Sequence, residues 1–328
     1  MKAIVYEKYG SPDVLQLKEV AIPALKDDGV LIKVHAASVN SYDGHLLRAD
    51  SFLVRLMGGG LLRPKNPILG ADIAGRVEAI GRNFKQFQSG DEVFGDISAC
   101  GNGGFAEYVS VPECALALKP ANLSFEQAAA VPMAAITALQ GLRDQGHIQP
   151  GHKVLIQGAS GGVGTFAVQI AKALGAEVTA VCSTRNMDQA RSLGADQVID
   201  YTREDFTQNG QQYDLILAVN GYHPLAAYKR ALGPRGIYVM SGGTMAQAFE
   251  AMLLGSWMSK SGGRKMGGVT GRPNQKDLVY MKGLLEAGQV KPIIDKCYPL
   301  SEVPEALRYL LAGHARGKVI ITMEHNNA

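Results

Sequence analysis

The chain has 328 residues, of which 46% are hydrophobic and 19% charged, so it can bury two cores and is not intrinsically disordered. Its 33 lysines and arginines and 30 acids give a net charge of +3, which offers no general case for nucleic acid or an anionic membrane as the main partner. The four cysteines are widely spaced without a CxxC pair, and the first residues lack the apolar core of a signal peptide. We therefore expect a cytoplasmic protein with reduced cysteines.

The first 120 residues predict a β-rich domain. Short runs of β-branched or alternating apolar residues are separated by glycine, proline and aspartate, with little helix between them. The clearest runs cover residues 3–6, 15–19 and 30–39. Closely spaced glycines from Gly70 to Gly104 then mark tight turns, as in a folded-over, barrel-like arrangement.

From residue 153 onward, predicted strands and helices alternate, after a helical stretch that begins behind Ser124. Such alternation builds a doubly wound parallel sheet covered by helices through right-handed crossovers. A sixth strand near Val269 is weakly indicated, and the basic, glycine-rich segment 255–276 is interpreted as a solvated loop rather than a binding surface. The predicted elements are strands 154–157, 178–182, 197–200, 215–219, 237–241 and 319–322 and helices 163–174, 187–193, 225–232, 278–288 and 303–311.

The strongest chemical signal is QGASGGVG at residues 157–164, between a short apolar strand and an amphipathic helix. Against the GxGxxG pattern it has Ala159 in place of the first glycine, followed by Gly161 and Gly164. The second glycine lets the backbone approach a pyrophosphate, and the third lets the helix pack close to the strand. The helix N-terminus offers N–H groups to phosphate oxygens. Because this segment opens the first βαβ unit, it predicts a dinucleotide site rather than a merely tight turn.

The residues after the second strand of this unit favour NADPH over NADH. An NAD site places Asp or Glu there to bind the ribose 2′-hydroxyl. Here the strand is followed by Ser183 and Arg185, with no acid before Asp188. A hydroxyl and a guanidinium suit a 2′-phosphate, although Arg185 could instead be the exposed start of the next helix.

A catalytic metal is not expected. A zinc site needs three Cys, His or carboxylate ligands around an open position. His35 and His45 occur near Asp43 and Asp72, but no cysteine lies nearby in the sequence and no spacing recurs. Without a Lewis acid, reduction of an electrophilic acceptor is easier than oxidation of an unactivated alcohol, because the nicotinamide supplies the hydride and the protein orients it.

Together these motifs resemble the zinc-free quinone oxidoreductase (zeta-crystallin-like) family of the medium-chain dehydrogenase/reductase superfamily. The similarity runs nearly end to end and includes VNSYD (39–43), PILGADIAGRVEAIG (67–81), GGFAEYVSVP (103–112) and GKVIIT (317–322). The resemblance implies an α/β protein with a Rossmann doubly wound parallel sheet, a GroES-like mostly-β catalytic domain built from both chain ends, and a homodimer. The implied domains are residues 1–124 with 273–328 for catalysis and 125–272 for the dinucleotide.

The resemblance also implies roles for single residues. Gly70-Ala71-Asp72 lacks the histidine of the zinc-ligand motif Gly-His-Glu, and Asn40 stands where the first cysteine ligand would be. Asn40 and Asp43 would face the active-site cleft, and His45 is a third catalytic candidate. Arg185 and Lys318 would add positive charge for the phosphorylated cofactor. The cofactor-binding candidates are Thr137, Ser160, Gly161, Gly162, Val163, Ser183, Arg185, Tyr201, Asn220, Ser241, Gly242 and Lys318.

We therefore expect an NADPH-dependent, zinc-independent oxidoreductase that transfers hydride to a quinone or a related electrophilic carbonyl, without a membrane or nucleic-acid partner. Reduction of an enoyl or alkenal double bond is the nearest alternative, and a zinc-dependent alcohol dehydrogenase ranks behind it. A catalytically silent nucleotide sensor is a hypothesis of another class, because fold alone does not exclude it. RNA binding by segment 255–276 is a further hypothesis of another class, but the balanced net charge argues against it.

Overall fold

The structure is a computed structural model that describes residues 1–49, 55, 60, 62–83, 86–221, 223–242, 263–268 and 271–324. The chain divides into two compact units. Unit 1 comprises Met1–Met133, Pro273–Glu286 and Pro292–Ala328, and unit 2 comprises Ala134–Arg272 and Ala287–Lys291. Within the described ranges, no helix has the length and apolarity needed to cross a membrane.

The regular elements are numbered in chain order. The strands are β1 (Lys2–Val5), β2 (Gln16–Glu19), β3 (Gly29–Val39), β4 (Asp72–Ile80), β5 (Glu92–Asp96), β6 (Tyr108–Pro112), β7 (Leu116–Leu118), β8 (Lys153–Gln157), β9 (Glu177–Cys182), β10 (Gln197–Asp200), β11 (Tyr213–Ala218), β12 (Leu232–Met240), β13 (Lys265–Gly268), β14 (Ile294–Pro299) and β15 (Lys318–Thr322). The α-helices are α1 (Ser41–Arg48), α2 (Phe125–Ala129), α3 (Pro132–Gln140), α4 (Gly162–Ala173), α5 (Met187–Ser192), α6 (Leu225–Ala231), α7 (Gln275–Glu286) and α8 (Val303–Leu311).

Unit 1 is built on a mainly antiparallel sheet in the order β14-β15-β3-β4-β5-β7, with β6 paired to β3. Along β3, Val30, Ile32 and Val34 are fully buried, whereas the residues between them are partly exposed, as expected for a strand with one face on a core. From Ala36 onward both faces are buried. The far end of β3 is therefore enclosed, and polar side chains that lie there must find partners within the protein.

The register of three strands sets which residues meet at that enclosed end. Ser38 on β3 lies opposite Asp72 on β4, and Val39 lies opposite Val319 on β15. Asn40, which follows Val39, and Lys318, which precedes Val319 on the antiparallel strand, therefore lie beside each other. Segments that are far apart in the chain thus converge at one corner of the sheet.

Unit 2 contains the parallel sheet, with its described strands in the order β10-β9-β8-β11-β12-β13. The chain runs outward from β8 to β10, returns to the middle, and runs outward again from β11 to β13, so the direction reverses between β8 and β11. In open α/β sheets ligands bind at the carboxyl ends of the strands beside this reversal. The predicted doubly wound sheet is confirmed.

Two details differ from the sequence predictions. The helical stretch after Ser124 is divided into α2 and α3, because Pro132 has no N–H for a continuing helix and is accommodated at the first position of the second one. The weakly indicated sixth strand is present as β13, at Lys265–Gly268, whereas Val269 and residues 255–262 of the basic segment lie outside the described residues.

Candidate active site

The loop between β8 and α4 carries the glycine motif. The structural reason for a glycine differs from one position of this loop to the next. Gly158 has φ +79°, which favours glycine, and a Cβ on Gly164 would lie 2.1 Å from the carbonyl oxygen of Gly158. Gly161 is the N-cap of α4 with an ordinary φ of −82°. Among the described residues, a Cβ on Gly161 would meet only the oxygen of Gly158, at 3.8 Å. Packing therefore explains Gly158 and Gly164 but not Gly161.

The surroundings of Gly161 fit a pyrophosphate group. The loop leaves open space beside a backbone that lacks a side chain, at the N-terminus of a twelve-residue helix. The first N–H groups of a helix have no intrahelical acceptors and attract anions. The neighbouring candidates Ser160, Gly162 and Val163 are all partly exposed, as a surface for a ligand requires.

A buried asparagine connects this loop to the end of β9. The side-chain amide of Asn186 donates to Oγ of Ser160 at 3.0 Å and to Oγ of Ser183 at 3.1 Å. Asn186 is 5% exposed, and its Oδ1 has no hydrogen-bond partner within the described part of the chain. Sequence reasoning missed this residue, because its position before a helix is equally typical of an ordinary N-cap.

The predicted 2′-phosphate residues lie at the carboxyl end of β9 and β10, with an unpredicted acid among them. Arg185 is exposed, and Tyr201 is 61% exposed. Asp200, which precedes Tyr201, accepts a hydrogen bond from the hydroxyl of Thr184 and bonds from the backbone N–H and hydroxyl of Thr202, at 3.0 and 2.8 Å. The hydrogen bond from Thr184 holds the pKa of Asp200 below its ordinary value, so this carboxylate is negative at neutral pH.

Most of the remaining unit 2 candidates follow strands of the parallel sheet. Asn220 is exposed just after β11, and its Oδ1 accepts from the backbone N–H of Gly221 at 2.9 Å. Ser241 and Gly242 follow β12, and Gly242 has φ +109°. On α3, Thr137 is partly buried, and a Cβ on Gly271 would lie 2.9 Å from its hydroxyl. The parallel strands thus bring the candidates after β8, β9, β11 and β12 to one edge.

In unit 1, the converging strand ends form a buried polar group that we call the Asn40 cluster: Ser38, Asn40, Asp72 and Lys318. Oδ2 of Asp72 accepts from Oγ of Ser38 at 2.7 Å and from Nδ2 of Asn40 at 3.0 Å. The ammonium of Lys318 donates to Oδ1 of Asn40 and lies 3.3 Å from Oδ2 of Asp72. The other oxygen of Asp72 accepts from the backbone N–H of Met133 at 2.9 Å.

This geometry places Lys318 beside Asn40, one of the catalytic candidates. Its side chain is 3% exposed and that of Asp72 is completely buried. The charge of the ammonium is therefore compensated within unit 1, and it does not stand free for a 2′-phosphate. Sequence reasoning considered Asp72 only as a metal ligand, because the register that joins it to Lys318 is not a local property of the chain.

Asp43 supports the turn between β3 and α1. Its carboxylate accepts from the backbone N–H of Asn40 at 2.8 Å and from that of Gly70 at 3.1 Å. Complete burial raises its pKa to about 7 despite these two bonds. Burial and the nearby Asp72 also raise the pKa of Asp96 to about 7. Asp43 therefore holds the backbone of Asn40 in place through this hydrogen bond.

The two histidines of this region have different surroundings. His45 is exposed on α1 and is not part of the Asn40 cluster in the described structure. The ring of His35 stacks on Phe125 of α2 with ring centres 4.3 Å apart. The described residues contain no group of three or more His, Cys, Asp or Glu side chains placed to hold a metal ion.

Comparison with known proteins agrees with this architecture. Residues 26–121 match the family described as "Alcohol dehydrogenase GroES-like domain", and residues 193–321 match "Zinc-binding dehydrogenase". The chain is 36% identical to the 2-methylene-furan-3-one reductase of Solanum lycopersicum and 33% identical to the chloroplastic NADPH-dependent alkenal/one oxidoreductase of Arabidopsis thaliana. Each alignment covers 98% of this chain and 79% of the relative.

A solved structure extends the similarity to the whole fold. The quinone oxidoreductase from Coxiella burnetii superposes with a TM-score of 0.88 at 31% sequence identity, over 99% of both chains. The resemblance seen in the sequence motifs is thereby confirmed. The chain belongs to the zinc-free quinone oxidoreductase family of the medium-chain dehydrogenase/reductase superfamily.

Proposed function

We propose that this protein is an NADPH-dependent, zinc-independent reductase that transfers hydride to a quinone or an α,β-unsaturated carbonyl compound. The observation that carries the cofactor half of this proposal is Gly161, which packing does not require and which leaves space for a pyrophosphate at a helix N-terminus. The acceptor half is supported by the activities for which the relatives are named, which include a quinone oxidoreductase and an alkenal/one oxidoreductase.

The chain's own residues have separate tasks in this reaction. The N–H groups around Gly161 bind the pyrophosphate, and Ser183 and Arg185 donate hydrogen bonds to the 2′-phosphate. Bound NADPH supplies the hydride. The amide of Asn40 donates a hydrogen bond to the acceptor's carbonyl oxygen and stabilises the negative charge that develops on it. Solvent then protonates the reduced product.

The preference for NADPH rests on a balance of charges at the end of β9 and β10. Ser183 and Arg185 supply donors that suit a phosphate, and the name of one relative states NADPH dependence. The carboxylate of Asp200 acts in the opposite direction, because a like charge beside a phosphate disfavours its binding. We therefore expect a measurable but moderate preference for NADPH over NADH.

Double-bond reduction is the second candidate function. The 36% identical relative is a 2-methylene-furan-3-one reductase, and the compound in its name is a conjugated enone. A single donor to the carbonyl oxygen serves both reactions, because hydride addition to a quinone and to an enone both leave negative charge on that oxygen. The ratio of kcat/KM values for quinones and enones decides between them.

The test is a steady-state assay of NADPH and NADH oxidation against quinones, alkenals and cyclic enones, with and without a zinc chelator. We expect turnover with NADPH that the chelator leaves unchanged. Loss of activity with chelator would overturn the zinc-independent proposal. Tight NADPH binding without turnover on any acceptor would instead support the hypothesis of a catalytically silent nucleotide sensor.

Three further expectations belong to this proposal. Residues 125–272 bind the cofactor, and residues 1–124 with 273–328 carry the catalytic groups. The protein is a homodimer, which light scattering during gel filtration checks. The cytoplasmic location predicted from the composition stays a prediction, since one relative is described as chloroplastic; imaging of the tagged full chain tests it.

A further inference from the structure

Lys318 and Asp72 form an ion pair that is buried on both sides, since their side chains are 3% and 0% exposed. A buried ion pair is a weak source of stability, because removing two charges from water offsets most of their attraction. The pair is also in direct contact with Asn40, the residue assigned above to the acceptor's oxygen. The position of the pair against Asn40 therefore points to a role in addition to packing.

We propose that Lys318 and Asp72 are positioning residues that fix the Asn40 amide as a hydrogen-bond donor to the carbonyl oxygen of the hydride acceptor. This inference rests on the proposed function. It assigns Lys318 to the acceptor's oxygen rather than to the 2′-phosphate of the cofactor, where the sequence motif alone would place it.

The two charges determine which way the amide of Asn40 faces. An ammonium group has only donors, so Lys318 pairs with the carbonyl oxygen Oδ1. A carboxylate has only acceptors, so Asp72 pairs with Nδ2 at 3.0 Å. Rotation of the amide by half a turn would place donors against the ammonium and oxygen against the carboxylate. The orientation of Asn40 is therefore set by electrostatics.

The second N–H of the Asn40 amide makes only long hydrogen bonds within the protein. Asp72 takes the first N–H, and the other contacts of Nδ2 are long ones to Ser38, at 3.4 Å from the carbonyl oxygen and 3.5 Å from Oγ. Bonds of that length are readily exchanged for a better acceptor. The bond from Lys318 to Oδ1 draws electron density from the amide and makes the remaining N–H a stronger donor.

The backbone of Asn40 is held as firmly as its side chain. Its N–H donates to Asp43, which is itself tied to the backbone of Gly70. Donors that are fixed before the reaction need no reorganisation when charge develops, which is the condition for effective stabilisation of an oxyanion. The Asn40 cluster meets that condition with a polarised neutral donor.

The test compares Lys318→Met, Lys318→Arg and the charge-neutral double variant Asp72→Asn/Lys318→Met with the wild type. Lys296→Met is the matched control, because Lys296 lies opposite Val319 on the neighbouring strand and is exposed. For each protein kcat and KM are measured with one quinone and one less electrophilic enone, together with the Kd of NADPH and of NADH and the melting temperature.

We expect Lys318→Met to lower kcat for the enone by about 10- to 100-fold, less than complete removal of an oxyanion donor. The loss should be smaller for the quinone, whose reduction depends less on stabilisation of the oxygen. The Kd of NADPH should stay within about twofold of wild type, since a larger change would mark a direct cofactor contact. Lys318→Arg should recover part of the kcat, because a guanidinium still donates to Oδ1.

The double variant guards against misfolding, since it leaves neither charge of the pair without its partner. It should melt near the wild type and show the same selective loss of kcat. Equal losses of kcat with the quinone and the enone, together with a lower melting temperature, would show that the ion pair has only a structural role. A raised Kd for NADPH with an unchanged Kd for NADH in Lys318→Met would show that Lys318 contacts the 2′-phosphate of the cofactor. An inactive wild type would overturn the proposed function itself, whereas a Lys318→Met enzyme with the wild-type kcat for the enone would overturn this inference alone.

Discussion

Two glycines of the loop between β8 and α4 offer a matched pair of substitutions, because an added methyl group meets different surroundings at each. At Gly164, a Cβ would lie 2.1 Å from the carbonyl oxygen of Gly158 and 2.7 Å from Cα of Ala159. Both are backbone atoms, so the start of α4 and the loop after β8 must move apart. Overpacking of this kind costs about 1–3 kcal/mol, which corresponds to a fall in Tm of about 3–9 °C for a unit of this size.

At Gly161 the same methyl group points into open space, and φ is −82°, which alanine adopts freely. The weaker N-cap of α4 and the stiffer unfolded chain oppose each other, so the stability of Gly161→Ala should stay within about 1 kcal/mol of wild type. A bound pyrophosphate would meet the methyl group directly. The overpacking energy of about 1–3 kcal/mol then weakens NADPH binding by about 5- to 150-fold.

The assay pairs thermal unfolding without cofactor with titration of NADPH fluorescence, for wild type, Gly161→Ala and Gly164→Ala. We expect Gly161→Ala to lose affinity without loss of Tm, and Gly164→Ala to lose Tm in the absence of any ligand. A folded Gly161→Ala protein that binds NADPH as tightly as wild type would refute the assignment of the pyrophosphate. A Gly161→Ala protein that melts as low as Gly164→Ala would refute the packing comparison.

Three further outcomes are expected. Arg185→Ala should raise the KM for NADPH about tenfold and leave that for NADH unchanged, through loss of a charge-assisted hydrogen bond; equal changes would remove Arg185 from the phosphate. Asn186→Ala should raise the KM for NADPH about 2- to 13-fold, because Ser160 and Ser183 each lose a hydrogen bond; unchanged kinetics would show that these two hydrogen bonds do not support cofactor binding. Burial raises the pKa of Asp96 to about 7. The folded state therefore retains a proton that the unfolded chain releases above about pH 4, so the stability of the protein declines between about pH 4 and about pH 7. Asp96→Asn should therefore stabilise the protein more at pH 8 than at pH 5, and an equal Tm shift at both would contradict the raised pKa.

Much of the fold could be predicted because most elements are coded locally. Strand β10 and helix α8 have the predicted bounds, 197–200 and 303–311, since their apolar periodicity is uninterrupted. The helix break at Pro132 was missed, because the apolar run on either side of the proline reads as continuous. Strand β13 is weak in sequence because it is short and glycine-rich, and it becomes a strand only by pairing with β12.

The two halves of the candidate site were predictable to different degrees. The phosphate loop is a contiguous segment, so its spacing indicates its chemistry before any folding is known. The role of Asn186 depends on two serines brought together from separate turns, after β8 and after β9. His45 shares a short motif with Asn40 and Asp43, yet the helix turns it outward while they are buried.

The sequence by itself determined the alternation of strands and helices, the glycine loop and the family, because each depends on residues within a few positions of one another or on their order along the chain. Only the tertiary structure decided that Lys318 meets Asn40 across 278 residues of sequence and that Asp72 joins both. Those contacts follow from the registers of β3, β4 and β15, which are set collectively by burial of apolar faces over whole strands. No local pattern encodes a register, so the partner of a buried charge becomes visible only in the folded chain.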